Sequence, residues 1–164
     1  MFRTLCAAAG AAVRWSLVIA IAVMLAAIAY QVVMRYCFGR APSWTEELAI
    51  LTFAWATLGG LALGVREGFH VRLTIILDRL PPVPRLIAER MLDVFALLVG
   101  AYLLWSGWRY VEVTSGSTSA AIAYPVEILH GMAPLAGVLT VLFASERLWN
   151  NPPPPAREVQ DPVA

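Results

Sequence analysis

The sequence predicts an all-α membrane protein with four transmembrane helices and with both the N- and C-termini in the cytoplasm. Three observations predict it: an apolar composition, long uncharged runs, and an uneven distribution of arginine. Of 164 residues, 60% are hydrophobic and 14% charged, whereas soluble proteins have about 25% charged residues. The net charge of +1 excludes a strongly basic surface for nucleic acid, so no nucleic-acid partner is expected.

The apolar runs predict the helices. Crossing the roughly 30 Å hydrocarbon core takes about 17–25 helical residues. In lipid every backbone N–H and C=O needs an internal partner, so uninterrupted apolar runs of this length form helices. The predicted spans lie at about 15–35, 47–66, 90–109 and 127–146, within a transmembrane domain of residues 1–149.

The first run has an alternative interpretation as a signal peptide. Arg3 and Arg14 precede the apolar stretch, and Ala27-Ile28-Ala29 resembles a cleavage site with small residues at its first and third positions. However, the apolar stretch continues to Met34, beyond the roughly 7–15 residues of a signal-peptide core. We therefore expect a retained helix.

The arginines predict the orientation, because cytoplasmic segments of membrane proteins carry an excess of positive charge. Nine of the twelve lie in the N-terminal segment, the central loop or the C-terminal tail, which places these three in the cytoplasm. The nine are Arg3, Arg14, Arg66, Arg72, Arg79, Arg85, Arg90, Arg147 and Arg157.

Two segments outside the spans have distinct compositions. Residues 69–80 mix apolar positions with arginines and precede three prolines within residues 81–84, which predicts a short helix along the cytoplasmic membrane interface. Alternatively, residues 74–77 extend a neighbouring helix. The tail at 150–164 contains four consecutive prolines and few apolar residues, which predicts disorder.

Small residues predict a helix-packing seam in the second span. Thr52, Ala56, Gly60 and Gly64 recur every four residues, with Gly59 beside them. This spacing puts small side chains on one helix face, where another helix can approach closely in lipid. The spacing leaves open whether that helix belongs to this chain or to another protein.

The fourth span contains residues that bend helices. Gly131, Pro134 and Gly137 predict a kink or a broken turn, since proline removes a backbone hydrogen bond. Broken helices bind ions in some transporters, but in those proteins two helices are broken, at corresponding positions of two repeated halves. We therefore expect a structural bend.

No catalytic, metal-binding or cofactor-binding residues are expected. The chain has no glycine-rich phosphate loop and no nucleophile–base arrangement. His70 and His130 are predicted at opposite membrane faces, which excludes a shared metal or haem. Cys6 and Cys37 lie at opposite ends of one helix, about 45 Å apart, too far for a disulfide. Mid-depth positions of the spans lack ionisable residues, so no transport route within this chain is expected.

The remaining charges cluster at span ends, as at Arg35 and Arg66. Glu46 and Glu47 open the second span. Carboxylates there complement the helix dipole, and Ser43 or Thr45 can cap the free N–H groups. Alternatively, the two carboxylates reach an arginine of a neighbouring chain.

An ordered set of residues resembles a known family. In the region from the first to the fourth span, the pattern is similar to the small membrane subunit (DctQ-type) of tripartite ATP-independent periplasmic (TRAP) transporters. The matching residues are Arg35-Tyr36-x-Phe38, Trp44-x-Glu46-Glu47-Leu48, Gly59, Arg66-Glu67-Gly68-x-His70-Val71, Leu80-Pro81, Pro125 and Pro134.

The resemblance implies partners rather than chemistry. It implies a multi-pass scaffold in the bacterial inner membrane, supporting Na⁺-driven uptake of an organic acid. The implied partners are a large DctM-type membrane subunit, which carries the Na⁺ and substrate sites, a periplasmic solute-binding protein, and membrane lipid. The implied interface residues are Arg35, Trp44, Glu46, Glu47, Arg66 and His70.

Two alternative functions are weighed against this one. A free-standing, homo-oligomeric small carrier needs a carboxylate embedded at mid-membrane, and the predicted spans lack one. A membrane enzyme or cytochrome subunit needs a catalytic dyad or axial histidine pairs, which the sequence also lacks.

Overall fold

The computed structural model describes residues 2–68 and 81–150. This part of the chain is helical, which confirms the all-α prediction. The helices are α1 (Phe2–Phe38), α2 (Ser43–Glu67), α3 (Pro82–Thr114), α4 (Glu127–His130) and α5 (Met132–Asn150).

Within the described residues, three helical segments are long and apolar enough to cross a membrane: Thr4–Phe38, Ser43–Glu67 and Glu127–Trp149. The predicted span at 90–109 lies within α3, which has 33 residues but is not one of these three. At 1.5 Å rise per residue α3 is about 50 Å long. The predicted interfacial helix at 69–80 and the tail after residue 150 lie outside the described residues.

The helices pack as a row. Helix α5 packs against both α2 and α3, and α1 packs chiefly against α2. The spatial order is therefore α1, α2, α5, α3, with α1 and α3 at the two edges. The buried centre of the row joins Ala62 and Val65 of α2 to Phe143 and Ala144 of α5.

The last helical segment is broken at Gly131, between α4 and α5. The Gly131 N–H donates to the Glu127 carbonyl oxygen at 2.7 Å, which closes the last turn of α4. Pro134 follows in the first turn of α5 and has no N–H to donate. The predicted kink or broken turn in the fourth span is thus confirmed.

Glycines bring α3 and α5 into backbone contact. A Cβ added to Gly137 would lie 2.6 Å from the Leu104 nitrogen, and one added to Gly107 would lie 2.8 Å from the Pro134 nitrogen. No side chain fits at either position while the helices keep this separation. Small residues allow such close packing of membrane helices, and this contact was not predicted from the sequence.

Candidate partner interface

Among the described residues, three ion pairs join neighbouring helices near the C-terminal ends of α2 and α5. Each connects two helices that are adjacent in the order α1, α2, α5, α3, so the four long helices are linked in series. The pairs are Arg14–Glu67, Arg66–Glu146 at 3.5 Å between Nε and Oε2, and Arg147–Asp93 at 2.8 Å between Nε and Oδ1.

The pair between Arg147 and Asp93 is the most deeply buried of the three. The side chains of Arg147 and Asp93 are 19% and 3% exposed. Arg147 also donates from a terminal guanidinium nitrogen to the Val65 carbonyl oxygen, at 3.3 Å. This arginine therefore contacts both α2 and α3 from its position on α5.

Arg66, an implied interface residue, makes its contacts within this chain. Its guanidinium pairs with Glu146 and lies 5.6 Å from the centre of the Phe143 ring, within range of a cation–π interaction. Arg66 thus contributes to the packing of α2 on α5.

Glu47 holds the loop between α3 and α4. Its carboxylate accepts hydrogen bonds from the Ser119 hydroxyl, from the Ala121 N–H at 2.7 Å and from the Ile122 N–H at 2.9 Å. Three donors on one carboxylate fix the loop against the start of α2. Glu47 therefore has partners inside its own chain.

Glu46 has a different environment from its neighbour. It is exposed and accepts a hydrogen bond from the Gln31 side-chain amide of α1 at 2.7 Å. The two carboxylates thus have different partners: Glu46 contacts α1, and Glu47 contacts the loop between α3 and α4.

The loop held by Glu47 forms a short hairpin. Thr118 and Pro125 pair as an antiparallel bridge, and the Ser119 N–H donates to the Tyr124 carbonyl oxygen at 2.9 Å. Burial, and secondarily the negative charge of Glu47, raises the pKa of the Tyr124 phenol.

The predicted capping of α2 by Ser43 or Thr45 is wrong. The N-cap residue is Pro42, and α2 has no side-chain cap hydrogen bond. Thr45 is fully buried, and its hydroxyl donates to the Pro42 carbonyl oxygen at 2.6 Å. The hydroxyl lies inside the first turn, where it serves as a donor to a carbonyl instead of an acceptor for an N–H.

Trp44 and Arg35, two other implied interface residues, are separated from the ion pairs. The Trp44 ring packs against Tyr30 of α1 with centroids 5.7 Å apart. Arg35 lies in the last turn of α1 and is exposed. His70 lies outside the described residues. Trp44, Glu46 and Arg35 thus share the end of α1 and α2 opposite to the ion pairs.

The predicted packing seam of α2 faces two environments. Gly59 is buried, and a Cβ added there would lie 3.0 Å from a Leu17 methyl of α1. Thr52 donates its hydroxyl to the Leu48 carbonyl oxygen of its own helix at 2.8 Å. Gly59 therefore contributes to the contact between α1 and α2.

Gly60, in the same seam, has open space beside it. A Cβ added to Gly60 would meet no described atom within 4 Å, and Ala56 and Gly64 are half-buried. At 3.6 residues per turn these three share a face with Ile50 and Phe53, whose side chains are exposed. We call four of these residues (Ile50, Phe53, Ala56 and Gly60) the open face of α2.

Glu47→Gln is expected to loosen the α3–α4 loop. The amide keeps one carbonyl acceptor but loses the negative charge that strengthens all three hydrogen bonds. We expect faster hydrogen exchange at the Ala121 and Ile122 amides in the detergent-solubilised subunit. Glu46→Gln is the matched control, and equal exchange rates in the two variants would contradict the role of Glu47.

Comparison with known proteins shows the family of this chain. Residues 24–151 match the family model of the DctQ component of tripartite ATP-independent periplasmic transporters. The sialic acid TRAP transporter small permease protein SiaQ of Vibrio cholerae is 26% identical over 136 residues, which cover 79% of this chain and 75% of SiaQ. The ectoine TRAP transporter small permease protein TeaB of Halomonas elongata is 26% identical over 129 residues, covering 76% of this chain and 67% of TeaB.

A third relative is a longer protein. The isethionate TRAP transporter permease protein DctMQ of Oleidesulfovibrio alaskensis is 30% identical over 104 residues, which cover 62% of this chain but only 16% of that protein. Because the family model matches most of the chain, this protein belongs to the DctQ family and is a small membrane subunit of a TRAP transporter.

Proposed function

We propose that this chain is the scaffold subunit that holds a large DctM-type membrane subunit in a TRAP transporter. The transporter takes up an organic acid, driven by Na⁺, and receives it from a periplasmic solute-binding protein. The observation that carries the proposal is the row of helices, in which an ion pair joins each long helix to the next. In the same row, α2 has an open apolar face.

In this proposal the chain crosses the bacterial inner membrane four times, with α3 as the third span and both termini in the cytoplasm. The distribution of arginine supports this orientation. The burial of Asp93 against Arg147 supports a membrane position for α3, because a charged side chain in the membrane needs a partner.

A rigid row suits a scaffold better than a carrier. A moving transport domain needs an immobile body to move against, and packed helices joined by glycine contacts and ion pairs resist relative displacement. The interhelical ion pairs of this row lie together near the C-terminal ends of α2 and α5, whereas a carrier places ionisable groups along a route through the membrane.

The longer relative supports a large membrane partner. In the DctMQ permease, the region similar to this chain is a small part of one polypeptide, so the small and large parts are covalently joined there. In this chain, we assign the docking of the corresponding partner to the open face of α2, where the small residues Ala56 and Gly60 permit close helix approach. Arg35, Trp44 and Glu46 then contribute to the contact with the partner at the periplasmic end of α1 and α2. Arg66 and Glu47 hold α2 in position through their contacts within this chain.

Gly60→Leu is expected to reduce binding of the large subunit without destabilising the small one. Within the chain the new side chain enters open space, so the thermal midpoint of the isolated subunit should not fall. At a close helix contact, overpacking costs about 1–3 kcal/mol, so co-purified large subunit should drop about tenfold.

The matched control is Ala26→Leu, a small-to-large change on the exposed surface of α1, which should leave co-purification unchanged. Equal recovery with both variants would contradict docking on α2. Failure of the unmodified chain to co-purify with any large membrane subunit would contradict the proposed function itself.

A further inference from the structure

Tyr102 of α3 carries an exposed hydroxyl well inside the proposed third span. The side chain is 66% exposed, and within residues 2–68 and 81–150 no group forms a hydrogen bond with the hydroxyl. The span runs from Arg90 to Arg109. The Tyr102 backbone therefore lies about 10 Å inside the nearer boundary, at 1.5 Å rise per residue.

The direction of the side chain places the Tyr102 hydroxyl deeper still. Side chains of an α-helix lean toward its N-terminus, which is the cytoplasmic end of α3 in the proposed topology. The ring therefore leans from the periplasmic half of the span toward the bilayer centre. Tyrosines that face lipid lie at the headgroups, where water reaches the hydroxyl. Acyl chains offer no acceptor, so the depth of Tyr102 favours a protein partner over lipid.

Neighbouring aromatic residues show the same dependence on depth. Trp108, beside Arg109 at the boundary, donates its indole N–H to Glu112 at 2.8 Å. Trp105 lies one turn deeper, and no described group accepts its N–H. Its ring packs against that of Tyr102 with centroids 6.1 Å apart. These two residues form an exposed aromatic pair, a composition typical of protein interfaces.

Tyr102 and the open face of α2 lie on the same side of the row. A cleft separates α2 from α3 above α5, and its lining includes Leu61 of α2 and Phe95 of α3. Gly60 of the open face is adjacent to Leu61. Tyr102 lies two turns after Phe95 on the same face of α3. The open face and Tyr102 therefore border the cleft from its two sides.

The two borders of the cleft also lie at the same depth. Arg66 of α2 pairs with Glu146 of α5, and the two helices run in the same direction, so Gly60 is level with Thr140. A Cβ added to Gly100 of α3 would lie 2.9 Å from the Thr140 methyl. Gly60 is therefore level with Gly100, less than one turn from the exposed tyrosine.

We propose that a transmembrane helix of the large subunit lies over this cleft, with the open face of α2 on one side and Tyr102 on the other, and accepts a hydrogen bond from the Tyr102 hydroxyl. This inference rests on the proposed function. The acceptor is neutral, such as a hydroxyl or an amide carbonyl, because α3 has no charged residue between Asp93 and Arg109 to balance an ion.

The size of the partner supports this placement. In the DctMQ permease the region similar to this chain is only 16% of the protein, so the remaining polypeptide is several times larger. A helix is about 10–12 Å wide with its side chains, which lets one helix contact both borders of a cleft between two neighbours.

Tyr102→Phe tests the hydrogen bond. The change removes only the hydroxyl, so the thermal midpoint of the isolated subunit should not fall, while recovery of the large subunit should drop several-fold. Tyr110→Phe is the matched control, because this tyrosine of the same helix is 54% exposed and follows Arg109, where water reaches its hydroxyl. Unchanged recovery with Tyr102→Phe, or an equal loss with both variants, would overturn the inference.

Photocrosslinking in the complete transporter tests the placement of the helix. A benzophenone amino acid at Trp105 should crosslink to the large subunit. The same probe at Ile19 of α1 is the control, because both side chains are 61% exposed and Ile19 lies on the opposite edge helix. Crosslinking of Trp105 to lipid alone or to a second copy of this chain, or equal crosslinking at both positions, would overturn the inference.

A third probe position separates this inference from the proposed function. Phe53 of the open face is 60% exposed. Crosslinking of the large subunit from Phe53 but not from Trp105 would overturn the contact with α3 and leave the scaffold function intact. Absence of co-purification for the unmodified chain would overturn both.

Discussion

Arg147→Leu is expected to lower the free energy of unfolding of the subunit by about 3–5 kcal/mol. The substitution leaves the Asp93 carboxylate, which is 3% exposed, without its counter-charge. It also removes the hydrogen bond to the Val65 carbonyl, so α5 loses a contact with each of its two large neighbours. The measurement is denaturant or thermal unfolding of the purified subunit in detergent.

Two further variants make this prediction specific. Arg14→Leu breaks an ion pair whose arginine is 62% exposed and should cost less than about 1 kcal/mol. Combining Arg147→Leu with Asp93→Asn should recover much of the loss, because the buried charge is removed as well. If Arg14→Leu and Arg147→Leu lower the free energy of unfolding equally, the importance that we assign to the buried pair of Arg147 and Asp93 is contradicted.

Gly137→Ala should destabilise the subunit although alanine favours helices. A Gly-to-Ala change in a helix normally stabilises it by about 1 kcal/mol. Here the added Cβ would lie 2.6 Å from the Leu104 nitrogen and 2.9 Å from the Gly100 carbonyl oxygen. These are backbone atoms, so α3 and α5 must separate, and such overpacking costs about 1–3 kcal/mol.

Gly60→Ala is the matched control for this effect. Its Cβ would enter open space, so the same substitution should leave the unfolding midpoint unchanged or raise it. The predicted result is therefore a difference in sign between two Gly-to-Ala changes in one protein. If both variants unfold at the same temperature, the close contact of α3 and α5 is contradicted.

The helices and their main interruption could be predicted from local sequence. Long apolar runs specify helices because lipid offers the backbone no hydrogen-bond partners, and the break at Gly131 follows from the nearby proline. The bounds were less predictable: α1 begins at Phe2, well before the predicted span, because helix can continue beyond the hydrocarbon core.

The contacts between helices could not be predicted, because they depend on the spatial order of the row. Asp93 and Arg147 are separated by 54 residues, and no local pattern relates them. Small residues occur in α2, α3 and α5, but only the row order decides which of them meet another helix. Gly137 therefore packs against the backbone of α3, whereas Gly60 has open space beside it.

The environments of Glu46 and Glu47 illustrate the same limit. Successive residues on a helix point about 100° apart, so a pair that looks like one feature in sequence has two different surroundings. One carboxylate meets α1, and the other meets a loop more than seventy residues later in the chain. Such a loop contact becomes visible only when α2 and α3 have been placed.

Reconstituted transport tests the scaffold function most directly. Proteoliposomes containing the large subunit, this chain and the solute-binding protein should accumulate the solute in the presence of a Na⁺ gradient. Omission of this chain should abolish uptake, and this chain alone should transport nothing. Solute uptake by proteoliposomes that contain this chain alone would contradict the account and identify the protein as a free-standing carrier.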